Sequence, residues 1–223
     1  MKLDKIQKLL NYKFRQVELL EQALTHRSYS HNCNNERLEF LGDSVLGLVI
    51  SENIYAREPE ATEGQLSRMR ASLVKREALT RVARDMNLGD YINLGDGELK
   101  SGGFRRSSIL CDTLEAIIGA IYLDGGFDAA RESVTALYHD YLRTLPDIHS
   151  LKDAKTCLQE YLQSKQIELP DYLVVKTVGK SHDQVFTVTC SVESIGLKGT
   201  GKGLSRKKAE QEAAHKALGQ LKQ

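Results

Sequence analysis

The stretch that decides the fold is Asn35-Glu36-Arg37-Leu38-Glu39-Phe40-Leu41-Gly42-Asp43-Ser44-Val45-Leu46-Gly47. At about 100° per residue, a helix would bring Glu36, Glu39 and Asp43 within an arc of ~60°. Apolar side chains occupy most of the other directions, which is typical of a buried helix. Because unpaired charge is unfavourable in a dry interior, these carboxylates need a partner, either a nearby Lys or Arg or a cation from outside the chain.

A second apolar segment, Ile109–Ala120, carries Asp112 and Glu115 three residues apart. On a helix this spacing places two side chains on one face, with about 5–6 Å between their Cβ atoms. If the two helices meet, their carboxylates raise one another's pKa values. A hard divalent cation such as Mg²⁺, which takes oxygen ligands, would relieve the repulsion. The alternative is that each acidic pair forms an ordinary solvated helix face.

Gly42 lies inside the first of these helices. Glycine in a helix interior is about 1 kcal/mol less favourable than alanine. A close approach of another backbone would explain its presence, and a small core residue is the alternative.

The composition is typical of a globular protein, with 223 residues of which 41% are hydrophobic and 27% charged, and it excludes wholesale disorder. The longest apolar stretches, Val45–Ile50 and Ala116–Leu123, are much shorter than the ~18 residues of a membrane span. The first residues show no long apolar run, so we expect no signal peptide and a cytoplasmic location. The four cysteines form no Cys-x-x-Cys pair, which favours reduced thiols over a zinc site or disulfides.

The pattern of the chain changes near residue 146. Residues 1–146 show helical periodicity, and the aperiodic, proline-containing segment that follows predicts a linker at 147–152. Residues 153–223 then follow the order α-β-β-β-α, with a clean apolar-polar alternation over 185–192. The predicted fold class is therefore multidomain, an all-α domain followed by an α+β domain.

Positive charge is concentrated in the second region. Residues 153–223 contain 11 Lys and Arg against 8 Asp and Glu, whereas residues 1–152 contain 20 against 22. Arg206, Lys207 and Lys208 begin the last helix, where positive charge opposes the helix macrodipole. This placement favours a phosphate-binding surface, although a solvated run of charges is the alternative.

Residues 35–44 resemble the signature of the ribonuclease III family of double-stranded-RNA endonucleases. Ala23–Ser28 and Asp112–Ala116 resemble two further motifs of that family, and the resemblance extends over the whole chain. It implies four metal-binding carboxylates, two of which, Asp43 and Glu115, would also be catalytic. The four are Glu39, Asp43, Asp112 and Glu115. Glu36 and Glu63 would be auxiliary acids near the cleavage site.

The same resemblance implies the reaction and the assembly. Bound Mg²⁺, for which Mn²⁺ can substitute, would activate a water for in-line attack on phosphorus and leave 5′-phosphate and 3′-hydroxyl ends. Precursors of ribosomal RNA and messenger RNA are the expected substrates, and His26 and Cys111 would be structural. A two-fold homodimer would set one site against each RNA strand, with Phe40 at the interface. An ordinary core position is the alternative for Phe40.

The α-β-β-β-α region resembles the double-stranded-RNA-binding domain, which recognises the shape of A-form RNA. Its first helix and a loop between strands would contact successive minor grooves, and the basic helix start would contact the phosphates between them. The implied RNA-binding residues are Thr156, Gln159, Glu160, Gln163, His182, Arg206, Lys207 and Lys208. Glu210 occupies a position where some such domains have lysine. The basic segment 99–108 could add a backbone contact, with a solvated loop as the alternative.

Two hypotheses from other classes stand beside the nuclease. A protein that binds duplex RNA without cutting it would tolerate substitutions at Asp112 and Glu115. A purely structural helical dimer would leave the basic start of the last helix unexplained. Intact acidic positions favour the enzyme.

Overall fold

The structure is a computed structural model that describes residues 2–144, 154–179 and 184–221. The chain divides into two compact units, Met1–Pro146 and Asp147–Gln223. The predicted linker 147–152 and His182 lie outside the described residues. None of the described helices combines the length and the apolarity needed to span a bilayer.

The first unit is built from helices joined by short turns. Two long helices lie at its centre, because their sequences are apolar on nearly all sides and must be buried. The helices are α1 (Lys2–Leu9), α2 (Val17–Ala23), α3 (Glu36–Arg57), α4 (Glu63–Val74), α5 (Arg76–Asp85), α6 (Asp96–Lys100), α7 (Ser107–Leu137) and α8 (His139–Arg143).

The central helices α3 and α7 cross at two glycines. A Cβ added at Gly42 would lie 1.7 Å from the carbonyl oxygen of Glu115, and one added at Gly119 would lie 2.3 Å from that of Leu38. Both distances are far below van der Waals contact, so the two main chains touch with no side chain between them. The close backbone approach expected at Gly42 is therefore present, and α7 is the element that makes it.

Helix α7 bends where Gly126 adopts φ 82°, in the left-handed region that glycine enters without strain. Just before the bend, Asp124 is buried and accepts a hydrogen bond of 2.7 Å from the Tyr12 hydroxyl. Its two oxygens also accept the backbone N–H groups of Arg15 and Gln16, at 2.8 and 2.9 Å. This carboxylate anchors the segment between α1 and α2 to the central helix.

The second unit places two helices against a three-stranded antiparallel sheet in the order β1-β2-β3. Its elements are α9 (Ala154–Ser164), β1 (Asp171–Val178), β2 (Val185–Val192), β3 (Leu197–Gly203) and α10 (Arg206–Leu221). Alternate residues of β2, namely Val188, Cys190 and Val192, are buried in one core with the alanines of α10. The predicted α-β-β-β-α order and the predicted fold class are confirmed.

Candidate functional site

Three carboxylates converge beside the crossing of α3 and α7. Glu39 and Asp112 and Glu115 each offer an oxygen, and these oxygens all lie within 4.8 Å of one another. All three residues are half-buried. Glu39 and Glu115 each lie about one helical turn before a crossing glycine, so the main-chain contact brings them together.

The convergence raises the pKa values of the carboxyl groups. Burial is the largest cause at Glu115, and the charges of Asp43, Glu39 and Asp112 add to it, raising the pKa to about 8. Burial followed by the charge of Asp112 raises the pKa of Glu39. In the absence of a cation, Glu115 therefore holds a proton at neutral pH.

Arg76 is a residue near this cluster that the sequence reasoning missed. Burial raises the pKa of Asp112, whereas the charges of Arg76 and His26 oppose the increase. The Arg76 carbonyl accepts the Thr80 hydroxyl at 2.7 Å and the Cys111 thiol at 3.2 Å, which ties the start of α5 to the residue before Asp112. Arg76 is the first residue of α5, where positive charge opposes the helix macrodipole. The same unfavourable placement singled out Arg206 at the start of the last helix, so the sequence did contain a signal for Arg76.

The structure places the other predicted acids at the edge of the cluster or away from it. Asp43 is exposed on α3 and, among the described residues, lies outside the group whose oxygens fall within 4.8 Å. Glu36 is exposed and pairs with Arg27, with 3.3 Å between Oε1 and Nη1. Glu63 begins α4, is exposed and accepts the Ser67 hydroxyl at 2.9 Å. Glu39, Asp112 and Glu115 are thus the predicted acids that meet directly.

Phe40 belongs to an exposed apolar surface along α3. Its side chain is 79% exposed, and Leu48 and Tyr55 farther along the helix are also exposed. Leu48 and Tyr55 line a hollow together with Glu63. Phe40 is therefore not a core residue within the single chain, and large exposed apolar side chains of this kind occur at protein interfaces.

In the second unit, α9 buries one face and exposes the other. Leu158 and Leu162 are buried in the core of the unit. The opposite side carries predicted RNA contacts, of which Thr156 is half-buried and the others are exposed, namely Gln159, Glu160 and Gln163. The helix therefore presents polar side chains to a ligand while its apolar side holds it to the sheet.

The start of α10 presents the predicted cations at the surface. Arg206, Lys207 and Lys208 are all exposed, and the Ser205 hydroxyl accepts the backbone N–H of Lys208 at 3.2 Å. Arg206 donates through Nε to Glu210 at 2.8 Å. Within the described parts of the chain, the two lysines have no ion pair and are available to phosphate oxygens.

Comparison with known protein families identifies both units. The family described as "Ribonuclease-III-like" matches residues 16–142. This chain belongs to the ribonuclease III family. It is an endoribonuclease of that family, as predicted, and the family described as "Double-stranded RNA binding motif" matches residues 154–221 of its second unit.

Curated ribonuclease III relatives match along nearly the full chain. "Ribonuclease 3" of Nitrosococcus oceani is 52% identical over 221 residues, covering 98% of this chain and 94% of the relative. "Ribonuclease 3" of Shewanella putrefaciens is 54% identical over 220 residues, covering 99% and 97%. The nuclease domain of Campylobacter jejuni ribonuclease III, a solved structure, matches with a TM-score of 0.61 at 43% identity and covers 62% of this chain and 96% of that one.

Proposed function

We propose that this ribonuclease III family member hydrolyses double-stranded RNA at a divalent-metal site formed by α3 and α7, using Mg²⁺ and leaving 5′-phosphate and 3′-hydroxyl ends. The observation that supports it is the convergence of three carboxylate oxygens within 4.8 Å on two helices of a nuclease-family unit. Precursors of ribosomal RNA and messenger RNA are the proposed substrates.

The residues present fit a hard divalent cation. The donors are all carboxylate oxygens, which Mg²⁺ prefers, and Mn²⁺ shares that preference. Among the described residues, no Lys or Arg nitrogen lies within 4.0 Å of the carboxylates of Glu39, Asp112 or Glu115. Burial raises the pKa values of all three carboxyl groups, and the charge of Arg76 offsets only part of that increase at Asp112 and Glu115.

The four predicted carboxylates bind the cation together in this proposal. Glu39, Asp112 and Glu115 would hold the cation, and Asp43, exposed one turn farther along α3, would complete the set of ligands. When bound, the cation supplies an activated water and stabilises charge on the leaving oxygen. Glu115 must first release its proton, because only the carboxylate form binds metal.

The two units would divide the work. We assign catalysis to residues 1–146, a connecting role to 147–152 and duplex binding to 153–223. The exposed face of α9 and the cations at the start of α10 would contact RNA, and we include His182, which lies outside the described residues. Glu36 and Glu63 are assigned auxiliary roles near the cleaved strand. We place the activity in the cytoplasm, where free thiols such as the four cysteines here are the rule.

A homodimer would supply two sites for the two strands of a duplex. The exposed Phe40 and the apolar surface beyond it on α3 support an interface in this unit. The related Campylobacter nuclease domain is described as having a region involved in dimer formation. Substituting Phe40→Ala should shift the chain toward monomer in light scattering, whereas the exposed Tyr29→Ala should not. Equal dimer fractions for both variants would remove Phe40 from the interface.

The proposal is tested by replacing Glu115 with Gln. We expect single-turnover cleavage of a perfect RNA duplex in Mg²⁺ to fall by roughly 10³-fold, because a charged ligand of the cation is lost. The matched control is Glu132→Gln on the same helix α7, an exposed acid away from the cluster, which should cut at the wild-type rate.

Duplex binding provides the second measurement. Glu115→Gln should bind RNA as tightly as wild type in a gel shift without metal, because the proposed binding residues lie in the other unit. Undiminished cutting by Glu115→Gln would refute the catalytic assignment. Binding without cutting by the wild-type chain, with Mg²⁺ present, would favour a non-catalytic RNA-binding protein instead.

A further inference from the structure

One carboxylate in the second unit forms ion pairs with basic side chains from two helices. Glu210 lies one turn into α10, and its side chain is only 12% exposed. Its Oε2 accepts a hydrogen bond from Lys155 Nζ at 2.7 Å, and its Oε1 accepts one from Arg206 Nε at 2.8 Å. Lys155 lies at the start of α9 and Arg206 is the first residue of α10. Glu210 therefore links the starts of two helices that both carry proposed RNA contacts.

Further contacts hold Lys155 in place. Its Nζ lies 4.1 Å from the centroid of the Tyr172 ring on β1, in cation–π geometry. Its backbone N–H donates to Oε1 of Gln211 at 3.3 Å, a second link from α9 to α10. The Lys155 side chain is about one-third exposed, so its ion pair with Glu210 is partly shielded from water. The first turn of α9 is thus fixed by α10 and by the sheet together.

We propose that Glu210 is a positioning residue for duplex-RNA binding, because its carboxylate sets the separation between α9 and the basic start of α10. The inference rests on the proposed function of the second unit. A-form RNA is stiff and is recognised by the spacing of its grooves, so elements that contact successive grooves must keep a matching separation. Setting that separation before RNA arrives avoids an ordering penalty on binding.

The sign of the expected effect separates this role from a simpler one. If Glu210 only neutralised nearby cations, removing its charge would make the unit more positive and RNA binding tighter. If it positions the two helices, removing its charge weakens binding although the net charge becomes more favourable. The hydrogen bond from Lys155, followed by that from Arg206, holds the pKa of Glu210 below its ordinary value, so the carboxylate is charged at neutral pH.

The test measures binding of the full chain to a perfect RNA duplex by fluorescence anisotropy, in EDTA so that no cleavage occurs. We expect Glu210→Gln to bind about tenfold more weakly, since two charge-assisted hydrogen bonds are lost. Glu212→Gln is the matched control, because it removes the same charge from the same helix but, within the described part of the chain, breaks no ion pair or hydrogen bond to α9. Glu212 pairs with Lys216 on α10 at 3.0 Å and accepts the backbone N–H of Lys202 on β3. The Glu212→Gln chain should bind as tightly as wild type or more tightly.

The salt dependence of RNA binding distinguishes a loss of phosphate contacts from a simple change in the net charge of the unit. Fewer phosphate contacts reduce the slope of log K against log salt, so we expect a shallower slope for Glu210→Gln and an unchanged slope for Glu212→Gln. In the cleavage assay with Mg²⁺, KM should rise while kcat at saturating RNA stays at the wild-type value. If Glu210→Gln does not fold, Glu210→Asp keeps the charge on a shorter side chain and should also bind more weakly.

The outcomes separate the two proposals. Wild-type affinity or tighter binding by both Glu210 variants would overturn the positioning role while leaving the proposed nuclease intact. Failure of the wild-type chain itself to bind duplex RNA would overturn the proposed function on which the inference rests.

Discussion

Glu115 in the helical unit and Glu210 in the α+β unit are both partly buried glutamates on helices, yet their pKa values are shifted in opposite directions. Burial and neighbouring carboxylates raise the pKa of Glu115 to about 8. Hydrogen bonds from Lys155 and Arg206 lower the pKa of Glu210. Glu210 forms ion pairs with Lys155 and Arg206 and so connects two helices of its unit. Glu115 lies among other carboxylates, an arrangement suited to binding a cation from outside the chain.

The largest effect on the acid cluster of Glu115 is expected from a substitution at the crossing of α3 and α7. Gly42→Ala adds a Cβ that would lie 1.7 Å from the Glu115 carbonyl, so the helices must separate. We expect a loss of about 3 kcal/mol in the free energy of unfolding, at the upper end for overpacked sites. Cleavage should fall with it, because the carboxylates move apart. Urea unfolding and single-turnover cleavage measure the two effects.

Gly47→Ala on the same helix is the matched control for that substitution. A Cβ at Gly47 would meet no atom within 4 Å. Replacing glycine by alanine in a helix interior should therefore stabilise the chain by up to about 1 kcal/mol. Equal destabilisation by both substitutions would show that the close main-chain contact at Gly42 does not limit the size of the residue there.

Adding Mg²⁺ should stabilise the acid cluster. A ligand that binds only the folded state at 100 times its Kd adds ~2.7 kcal/mol to the free energy of unfolding. Thermal melts of the wild-type chain should shift upward with Mg²⁺, and those of Glu115→Gln much less. Without Mg²⁺ the variant should melt at a higher temperature than wild type only above about pH 8, because Glu115 becomes charged there and Gln does not. Equal shifts in melting temperature for the two chains on addition of Mg²⁺ would show that Glu115 does not contribute to metal binding.

The pH dependence of stability should differ in sign between the two glutamates. Glu115 binds a proton more tightly when folded, with a pKa of about 8 against an ordinary 4.5, so its contribution to the free energy of unfolding declines as pH rises through that window. After allowance for solvent screening we expect a decline on the order of 1 kcal/mol without metal. Glu210 has a lowered pKa, so its contribution is present above its ordinary pKa and is lost on acidification.

Denaturant midpoints of metal-free wild type and Glu115→Gln, measured from acidic to mildly alkaline pH, isolate this effect. The difference between the two chains should grow as pH rises. A difference that is constant with pH would mean that Glu115 titrates normally.

The smallest effect is the change that Asp43→Asn should cause in the pKa of Glu115 in the metal-free chain. Asp43 is the largest charge contribution to the pKa shift of Glu115 after burial, so removing it should lower that pKa toward its ordinary value. Carbon-detected NMR titration of the Glu115 carboxyl in the metal-free chain measures the change. Asp128→Asn, an exposed acid on α7 that pairs with Arg131, should leave the titration unchanged.

Local patterns predicted the fold and the three acids that meet beside the crossing, whereas Asp43, which was predicted with them, lies outside that group among the described residues. The spacing of Asp112 and Glu115 is a property of one helix, and the alternation over 185–192 is a property of one strand, so both could be read along the chain. Gly42 also predicted a close backbone approach, because glycine in a helix interior is unfavourable unless another main chain must pass close to it.

Contacts between distant residues escaped the sequence reasoning. Asp124 anchors backbone groups more than a hundred residues earlier, and no local pattern connects them. The influence of Arg76 on Asp112 depends on how α5 packs against α7. Likewise, Glu210 resembled a weakened RNA contact in sequence, and only the positions of Lys155 and Arg206 assign it a different role.

The contact between Gly42 and Gly119 has a consequence for engineering the site. Main chain meets main chain there, so the spacing of the two ligand-bearing helices follows from peptide geometry and does not depend on the choice of core side chains. The scaffold should accept a different donor chemistry at 39, 112 and 115, such as imidazole for a softer metal, without redesign of its interior. The same crossing could therefore serve as a template for artificial metalloenzymes.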